Sequence, residues 1–466
     1  MINPNIFRAY DIRGIAPKEL NEKSAELIGI AFGNFLDRIA EKGINPRADK
    51  VIVSRDHRKS GIAIRKGLVR GLMKAGKHVI DIGIASTPEF YFAVCKHKYN
   101  AGIQITASHN PKQYNGMKLQ LKNALPLSGE TGIYEIRDII NKGRLRLKHI
   151  DELLKVEHIK YDIRQEFIDY MVRKCRLKKK LKIVIDTGNG VVAKVPEKIF
   201  KKLGCKVKTL YAKPDDRFPN HPADPHLYKT LKSLRKEVLK QKAHIGFAFD
   251  GDGDRLGIID EKGRIVKTDK LLMMLARKAL AKKKGPVVYE VRASLGLIED
   301  TKKHGGNIII SRAGHSYILE KIISNNAVFG GELSGHIYYP LENYPYDDGI
   351  FSAIKVAEIV SGIDSLSEYV DSLPWYYPSP EIYIESSDDK KFNLVKKLVG
   401  ILRKKGYAVS TIDGARVRFS DGWALVRASN TAPKIKCRFE GRTEKGLKRI
   451  MDLIKPLMKK AGIVIQ

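Results

Sequence analysis

The stretch His244–Asp260, HIGFAFDGDGDRLGIID, runs an apolar segment straight into Asp250, Asp252 and Asp254, which alternate with glycine. Carboxylates this close repel one another, and in a loop at a strand end they are reconciled by a hard divalent cation that takes oxygen ligands. The glycines let the backbone turn all three inward. A second stretch, ITASHNPKQYNGMKL (Ile105–Leu119), follows an apolar run with Thr, Ser, His, Asn and Pro. Asn-Pro followed by Tyr-Asn-Gly is turn chemistry. Ser108 nevertheless becomes a candidate nucleophile once the chain supplies an electrophile, a charge sink and an acid or base. Ser108 and His109 are neighbours, but neither an oriented third group nor a nucleophile-elbow pattern accompanies them, so they are not read as a hydrolase pair.

Two rival chemistries compete for the aspartate loop. An EF-hand would start at Asp250 and end at Glu261, but Arg255 occupies the place of its required glycine, Ile258 fills another ligand position, and a strand precedes it. A haloacid-dehalogenase-type phosphatase would use Asp250 itself as nucleophile and need no serine loop. The run from Asp250 to Asp254 lacks the Thr or Val usual two residues after its second aspartate.

Two further clusters carry complementary chemistry. FGGELSGHIYYP (Phe329–Pro340) offers Glu332, Ser334 and His336, acceptors and donors suited to sugar hydroxyls on a glycine-containing loop. WALVRASNTAPKIKCRFEG (Trp423–Gly441) offers Arg427, Ser429, Asn430 and Thr431, a guanidinium with small donors suited to a phosphate.

The elements that must position these groups follow a repeated pattern. KVIVSRD near Lys50 leads to a helical stretch (Ala63–Lys74), Gly76 and HVIDIG. LKIVIDTGNG near Leu181 leads to Pro196–Leu203, Gly204 and CKVKTLY. GPVVYEVRASL near Gly285 leads to Leu297–His304, Gly305 and NIIISRAG. Each is a Val/Ile-rich strand, a helix stopped at glycine and a second strand, which predicts three related α/β domains with mixed, largely parallel sheets. After PWYYPSP (Pro374–Pro380), read as a proline-rich linker, short strands between a helix near Phe392–Lys405 and one from Glu444 to Lys460 predict a C-terminal α+β domain with an antiparallel sheet. The C-terminal domain is expected to start near residue 378.

Composition narrows the classes. The chain has 466 residues, 43% of them hydrophobic and 30% charged, which is globular and long enough for several domains. Its four cysteines, Cys95, Cys175, Cys205 and Cys437, form no Cys-x-x-Cys pair, so neither zinc nor a disulfide framework is suggested and a reducing cytoplasm fits. The N-terminal MINPNIFRAYDIRG has no apolar core of a leader, and no run approaches bilayer-spanning length, so no membrane association is expected. The 86 Lys and Arg against 52 Asp and Glu give a net charge of +34. Such a field attracts nucleic acid or small anions alike. The lysine runs, Lys178–Lys180 and Lys282–Lys284 among them, lack aromatic interleaving or a nucleic-acid motif, so no specific nucleic-acid partner is expected.

With these motifs in order, the chain resembles the alpha-D-phosphohexomutase family, in particular its phosphomannomutase/phosphoglucomutase branch. The resemblance rests on FRAYDIRG (Phe7–Gly14), TASHNP (Thr106–Pro111), DGDGDR (Asp250–Arg255), GELSGH (Gly331–His336) and RASNTAP (Arg427–Pro433), and spans essentially the whole chain. It implies four domains around a central cleft, residues 1–155, 156–258, 259–373 and 374–466, and a cytoplasmic isomerase, an intramolecular phosphotransferase acting on small sugar phosphates. Ser108 is implied as the phosphoserine, holding Mg²⁺ together with Asp250, Asp252 and Asp254. Arg13, Lys118 and Arg255 are implied as cations that orient the phosphoserine or move a proton, without the general base being settled among them. His315 and His336 resemble substrate-side histidines. Glu332 and Ser334 would contact the hydroxyls at carbons 3 and 4, and Arg427, Ser429, Asn430 and Thr431 the distant phosphate. A hexose 1,6-bisphosphate would serve as intermediate and activator. Arg292, in VRASLGL, lies where relatives vary, which leaves its sugar contact open. RASNTAP and GELSGH favour mannose and glucose phosphates; a phosphoglucosamine mutase is the main alternative, ahead of a Mg²⁺-dependent phosphatase or a basic nucleic-acid-binding protein. Whether the protein is a monomer or a homo-oligomer is left open.

Overall fold

The repeat that begins at KVIVSRD folds into the strand Lys50–Arg55, the helix Ser60–Lys74 and the strand His78–Ile84, and the two strands pair in parallel. The second repeat gives the parallel strands Lys182–Asp186 and Lys206–Leu210 around the helix Val195–Lys202. The third gives Gly285–Glu290 and Gly306–Ser311 around Leu295–Lys303. The expected helix limits hold to within a few residues at each end. The computed structural model describes residues 2–429 and 432–465. Asn430 and Thr431 therefore lie outside the described residues.

The chain divides into two units. One takes the residues up to Thr268 together with Ser334–Val370, and the other takes Asp269–Leu333 with the residues from Asp371 onward. The first unit holds two mixed sheets. The N-terminal one orders its strands Ile12–Ile15, Tyr114–Leu121, Ala101–Ile105, Lys50–Arg55, His78–Ile84 and His158–Lys160. Its Tyr114–Leu121 strand runs antiparallel to both neighbours, which brings Arg13 opposite Gly116 and Lys118 opposite Gln104. Helix Glu22–Glu41 covers it, started by a reciprocal cap in which the Asn21 side chain accepts from the Ser24 N–H and Ser24 Oγ accepts from the Asn21 N–H. The core beneath includes Phe32, Phe35, Val51, Val53, Leu68, Ile103 and Ile105, all buried. The second sheet orders Ile265–Val266, Leu256–Asp260, Ile245–Phe249, Lys182–Asp186 and Lys206–Leu210.

The second unit contains the parallel strands Gly306–Ser311, Gly285–Glu290 and Phe329–Gly331. It also holds the C-terminal antiparallel sheet, in which Lys434–Gly441, Gly422–Ala428, Ala415–Phe419 and Val409–Ser410 follow in order. Helices Lys391–Lys404 and Glu444–Ala461 close this last core over Leu398, Val426, Cys437, Phe439 and Ile450. One expectation is corrected here. PWYYPSP is not merely a linker: Tyr377 and Pro378 form a short strand antiparallel to Glu440 and Gly441. Proline is tolerated there because it sits on an edge, where its missing N–H leaves no ladder bond unmade. No helix among the described residues is long and apolar enough to cross a membrane.

Candidate active site

The serine loop leaves strand Ala101–Ile105 and the aspartate loop leaves strand Ile245–Phe249, both within the first unit. Strand ends in α/β sheets are where sites form, because the loops there are free of ladder pairing. Ser108 Oγ donates to Asp250 Oδ2 at 2.7 Å. His109 Nδ1 lies 3.0 Å from Ser108 Oγ, a contact that the adjacency of the two residues does not predict. Burial keeps the His109 imidazole well below its ordinary value, so it is neutral.

Asp250, Asp252 and Asp254 are fully buried, and an oxygen from each falls within 4.8 Å of those of the other two. Burial, and then the charges of Asp254 and Asp252, push Asp250 well above the carboxylate range. Its Oδ1 accepts from the N–H groups of Gly253 and Arg255 at 2.9 and 3.2 Å, which orients the loop. Burial would push Asp252 up too, but the Lys118 ammonium and the Thr87 hydroxyl outweigh it and hold Asp252 below its ordinary value. Thr87 Oγ1 donates to Asp252 Oδ2 at 2.6 Å from the first turn of helix Thr87–Lys96, and its N–H donates to the Asp252 carbonyl at 2.9 Å. Lys118 Nζ bridges Asp252 Oδ2 at 2.9 Å and Asp254 Oδ2 at 2.5 Å. Burial alone would lower the Lys118 ammonium; these two carboxylates outweigh it and keep it charged.

Two glycines are required by this approach. A Cβ on Gly251 would stand 2.4 Å from the Ser108 carbonyl oxygen. Gly253 has φ +84°, and a Cβ there would meet Val192 Cγ1 at 2.1 Å. The glycines of the motif therefore serve close approach to the serine loop as well as turning.

Asp252 Oδ1 and Asp254 Oδ1 are buried and accept no hydrogen bond among the described residues. Buried oxygens left in this state are costly, and a divalent cation ligated by all three carboxylates satisfies them. The residues present therefore fit a hard cation such as Mg²⁺.

Further cations surround the serine. Arg13 donates to the Ala107 carbonyl at 3.1 Å and to Asn110 Oδ1 at 3.0 Å, and is paired with Asp11. Arg255 Nε stands 3.9 Å from both Asp250 and Asp254 and donates to His336 Nε2 at 3.0 Å. His336 Nδ1 in turn donates to Asp347 Oδ2 at 2.6 Å, so the Asp347–His336 pair fixes the Arg255 side chain. Ser334 belongs to the same unit, on the loop leading to His336.

The remaining expected residues lie in the second unit. Glu332 Oε2 accepts from the Gly314 N–H at 3.2 Å, next to His315, which starts helix His315–Ser324. Arg427 is next to last in strand Gly422–Ala428 and pairs with Asp413 at 2.9 Å. Asp413 also accepts from the Ala313 N–H at 3.0 Å, tying the loop before His315 to Arg427. The Ser429 N–H donates to the Lys434 carbonyl at 2.9 Å. Arg292 is held by Glu290 at 2.7 Å and by Glu381 at 3.3 Å.

Sequence reasoning missed Thr87, Asp347, Asp56 and Arg58. Thr87 and Asp56 carried a usable signal, since each follows a strand end: STPE is a helix-start pattern, and SRDHR closes a parallel strand. Asp347, in YPYDDG, has none.

The chain's similarity to known proteins runs along nearly its whole length. Four domain descriptions of the phosphoglucomutase/phosphomannomutase family match in order: α/β/α domain I over residues 4–146, domain II over 165–263, domain III over 267–377 and the C-terminal domain over 381–456. A phosphomannomutase/phosphoglucomutase of Pseudomonas putida is 36% identical over 97% of this chain and 95% of its own. A phosphoglucomutase/phosphomannomutase of Thermococcus kodakarensis is 34% identical over 98% and 99%. The crystal structure of a phosphoglucomutase/phosphomannomutase family protein from Burkholderia thailandensis superposes with a TM-score of 0.91 at 32% identity, covering 100% of this chain and 99% of that one. A chain matched along its whole length in sequence and fold, with its aspartate and serine loops hydrogen-bonded to one another, belongs to the phosphoglucomutase/phosphomannomutase family and is a mutase, an enzyme of the isomerase class.

Proposed function

We propose that the protein interconverts hexose 1-phosphates and hexose 6-phosphates, of both mannose and glucose, through a phosphoryl group carried on Ser108. The observation that carries this reading is the 2.7 Å hydrogen bond between Ser108 Oγ and Asp250, at a carboxylate cluster with buried, unsatisfied oxygens. Asp250, Asp252 and Asp254, with a phosphate on Ser108, would hold Mg²⁺. When bound, the ion neutralises charge on the transferring phosphoryl group.

The chain's own residues do the rest. Arg13 and Arg255 stand beside the serine loop, placed to steady phosphoryl oxygens as charge redistributes. The free hydroxyl of the sugar phosphate attacks the phosphorus of phosphoserine; a P–O bond forms to the sugar, and the bond to Ser108 Oγ breaks. The attacking hydroxyl's proton passes to a group in this cluster. The resulting hexose 1,6-bisphosphate turns end over end and returns its other phosphate to Ser108, restoring the enzyme. Arg427, with Ser429, Asn430 and Thr431, would grip the non-reacting phosphate in both orientations. Glu332 and Ser334 would read the hydroxyls at carbons 3 and 4, which exchange places on turning. His315 and His336 would each contact the substrate.

A pocket that reads carbons 3 and 4 has no dedicated partner for carbon 2, where glucose and mannose differ. Such a pocket discriminates by only about 1–3 kcal/mol, so specificity constants for the two sugars fall within about two orders of magnitude. Glucosamine phosphate is used less well. A coupled assay with glucose 1-phosphate, mannose 1-phosphate and glucosamine 6-phosphate, primed with bisphosphate, tests the reading. Release of inorganic phosphate in place of isomer, or glucosamine phosphate as the fastest substrate, overturns it.

A further inference from the structure

Ser108 adopts φ +49°, a left-handed conformation unfavourable for a residue with a Cβ, so something must hold it there. The grip comes from a residue remote in sequence. Arg58 is 1% exposed, and each of its guanidinium nitrogens is engaged. Nε pairs with Asp56 Oδ2 at 3.1 Å. NH1 donates to the Pro111 and Tyr114 carbonyls at 2.9 and 3.1 Å, and NH2 to the Ser108 and Asn110 carbonyls at 2.9 and 2.6 Å. The five donors of one planar group are therefore spent on one carboxylate and four carbonyls of the serine loop.

Asp56 completes the device from the other side of the same residue. Its Oδ1 accepts from the Arg58 N–H at 2.9 Å, and its Oδ2 accepts from Thr106 Oγ1 at 2.8 Å. Thr106 Oγ1 in turn accepts the Ser108 N–H at 2.9 Å. Both the N–H and the C=O of Ser108 are thus led back to a single Asp56–Arg58 pair. The Phe218 ring covers the guanidinium, its centroid 5.4 Å from Arg58 Cζ.

We propose that Arg58, oriented by Asp56, is a positioning residue for the mutase reaction: it holds the backbone of Ser108 so that Oγ faces the aspartate loop. The proposal rests on the reading of Ser108 as the phosphoryl carrier. A group that only stabilised the core would have no reason to spend four of its five donors on one loop. A lysine at this position presents its donors from a single atom and cannot span carbonyls from Ser108 to Tyr114. Displacement of a reacting oxygen by about 1 Å can cost about 100-fold in rate while leaving substrate binding untouched.

The test compares wild type, Arg58→Lys and Asp56→Asn, each normalised to its folded fraction by near-ultraviolet circular dichroism. Wild type is first incubated with glucose 1,6-bisphosphate and its Ser108 peptide is weighed; absence of phosphate there sinks the serine reading, whatever Arg58 does. With that phosphate present, Arg58→Lys is expected to lose about 100-fold in kcat with KM within about threefold of wild type. Phosphoryl transfer from bisphosphate to Ser108 slows in the same proportion. Asp56→Asn keeps the guanidinium and its four carbonyl contacts, so it loses less, about tenfold in kcat, again with KM nearly unchanged. If Arg58→Lys does not fold, Asp56→Asn decides. A kcat per folded molecule within about threefold of wild type in either variant overturns the positioning role.

Discussion

The aspartate cluster near Ser108 keeps carboxylate oxygens without a hydrogen bond, whereas the Arg427–Asp413 pair keeps a guanidinium nitrogen without one, among the described residues. Around Ser108, three buried aspartates share Lys118 and Arg255, yet Asp252 and Asp254 each keep one oxygen without a hydrogen bond among the described residues. In the second unit, Arg427 is buried and paired with Asp413, and its Nε has no hydrogen-bond partner among the described residues. Burial would push Glu290 up, but Arg292 outweighs it and holds the carboxyl below its ordinary value. An orphaned carboxylate oxygen calls for a cation, and an orphaned guanidinium N–H calls for an anion. The difference suggests how one chain divides its work: the first cluster is suited to a metal and a phosphoryl group in transit, the second to a phosphate that only needs holding.

The sharpest way to break this comparison is to remove the transferring oxygen. Ser108→Ala is expected to lose about 10³-fold or more in turnover with an unchanged circular dichroism spectrum, since groups that act as one unit fail together. Wild-type-like turnover would move the chemistry elsewhere, and phosphate found on Asp250 would favour the phosphatase. Next comes the cation. Asp252→Asn should weaken Mg²⁺ binding and cut activity by about 10–100-fold, read as a rightward shift in a Mg²⁺ titration of the rate. Undiminished wild-type activity in excess chelator would refute the metal assignment. The anion side should respond differently. Arg427→Lys removes a planar fork while keeping the charge, so KM for hexose phosphate should rise about tenfold with kcat little changed, a loss of about 1.4 kcal/mol in binding. A fall confined to kcat would place Arg427 with the reacting group instead.

The two clusters were unequally legible in the sequence. Asp250, Asp252 and Asp254 announced themselves because their alternation with glycine makes sense only if the carboxylates converge, and local spacing carries that information. The repeats likewise fixed their parallel strand pairs, since a Val/Ile-rich strand followed by a helix ending in glycine is written within about thirty residues. Arg58 could not be read this way. It stands in SRDHRKSG like a surface arginine, and only the pairing of strands Lys50–Arg55 and Ala101–Ile105, with Ile52 beside Gly102, brings it under a loop fifty positions on. Asp347 is hidden for the same reason, its partner His336 being turned toward it by a chain reversal that composition does not encode. Tyr377 and Pro378 failed as a linker because proline density signals a turn, while an edge position needs the partner strand to be known.

The smallest expected effect on turnover sharpens the comparison from within the first unit, because not every buried acid there asks for a cation. Asp348 is buried but satisfied: its Oδ1 accepts from the Phe351 N–H at 2.8 Å as the cap of helix Gly349–Val360, and Asn343 Nδ2 lies 3.5 Å from Oδ2. Burial pushes its carboxyl from 3.8 up to about 7, with the neighbouring Asp347 charge adding to the rise. Between those two values the folded protein holds a proton that the unfolded chain has released, so stability falls as pH rises through this window and the loss is complete above about 7. Asp348→Asn keeps an equally good cap without the ionisable group. It should therefore leave kcat and Mg²⁺ dependence unchanged and abolish this part of the pH slope. Relative to wild type, its thermal midpoint should be similar near pH 4 and higher above pH 7, with a gain on the order of a few kcal/mol at the alkaline end. Equal midpoints across the range would show that Asp348 ionises freely in the folded state. A loss of Mg²⁺ dependence would instead enrol it among the carboxylates that serve the cation.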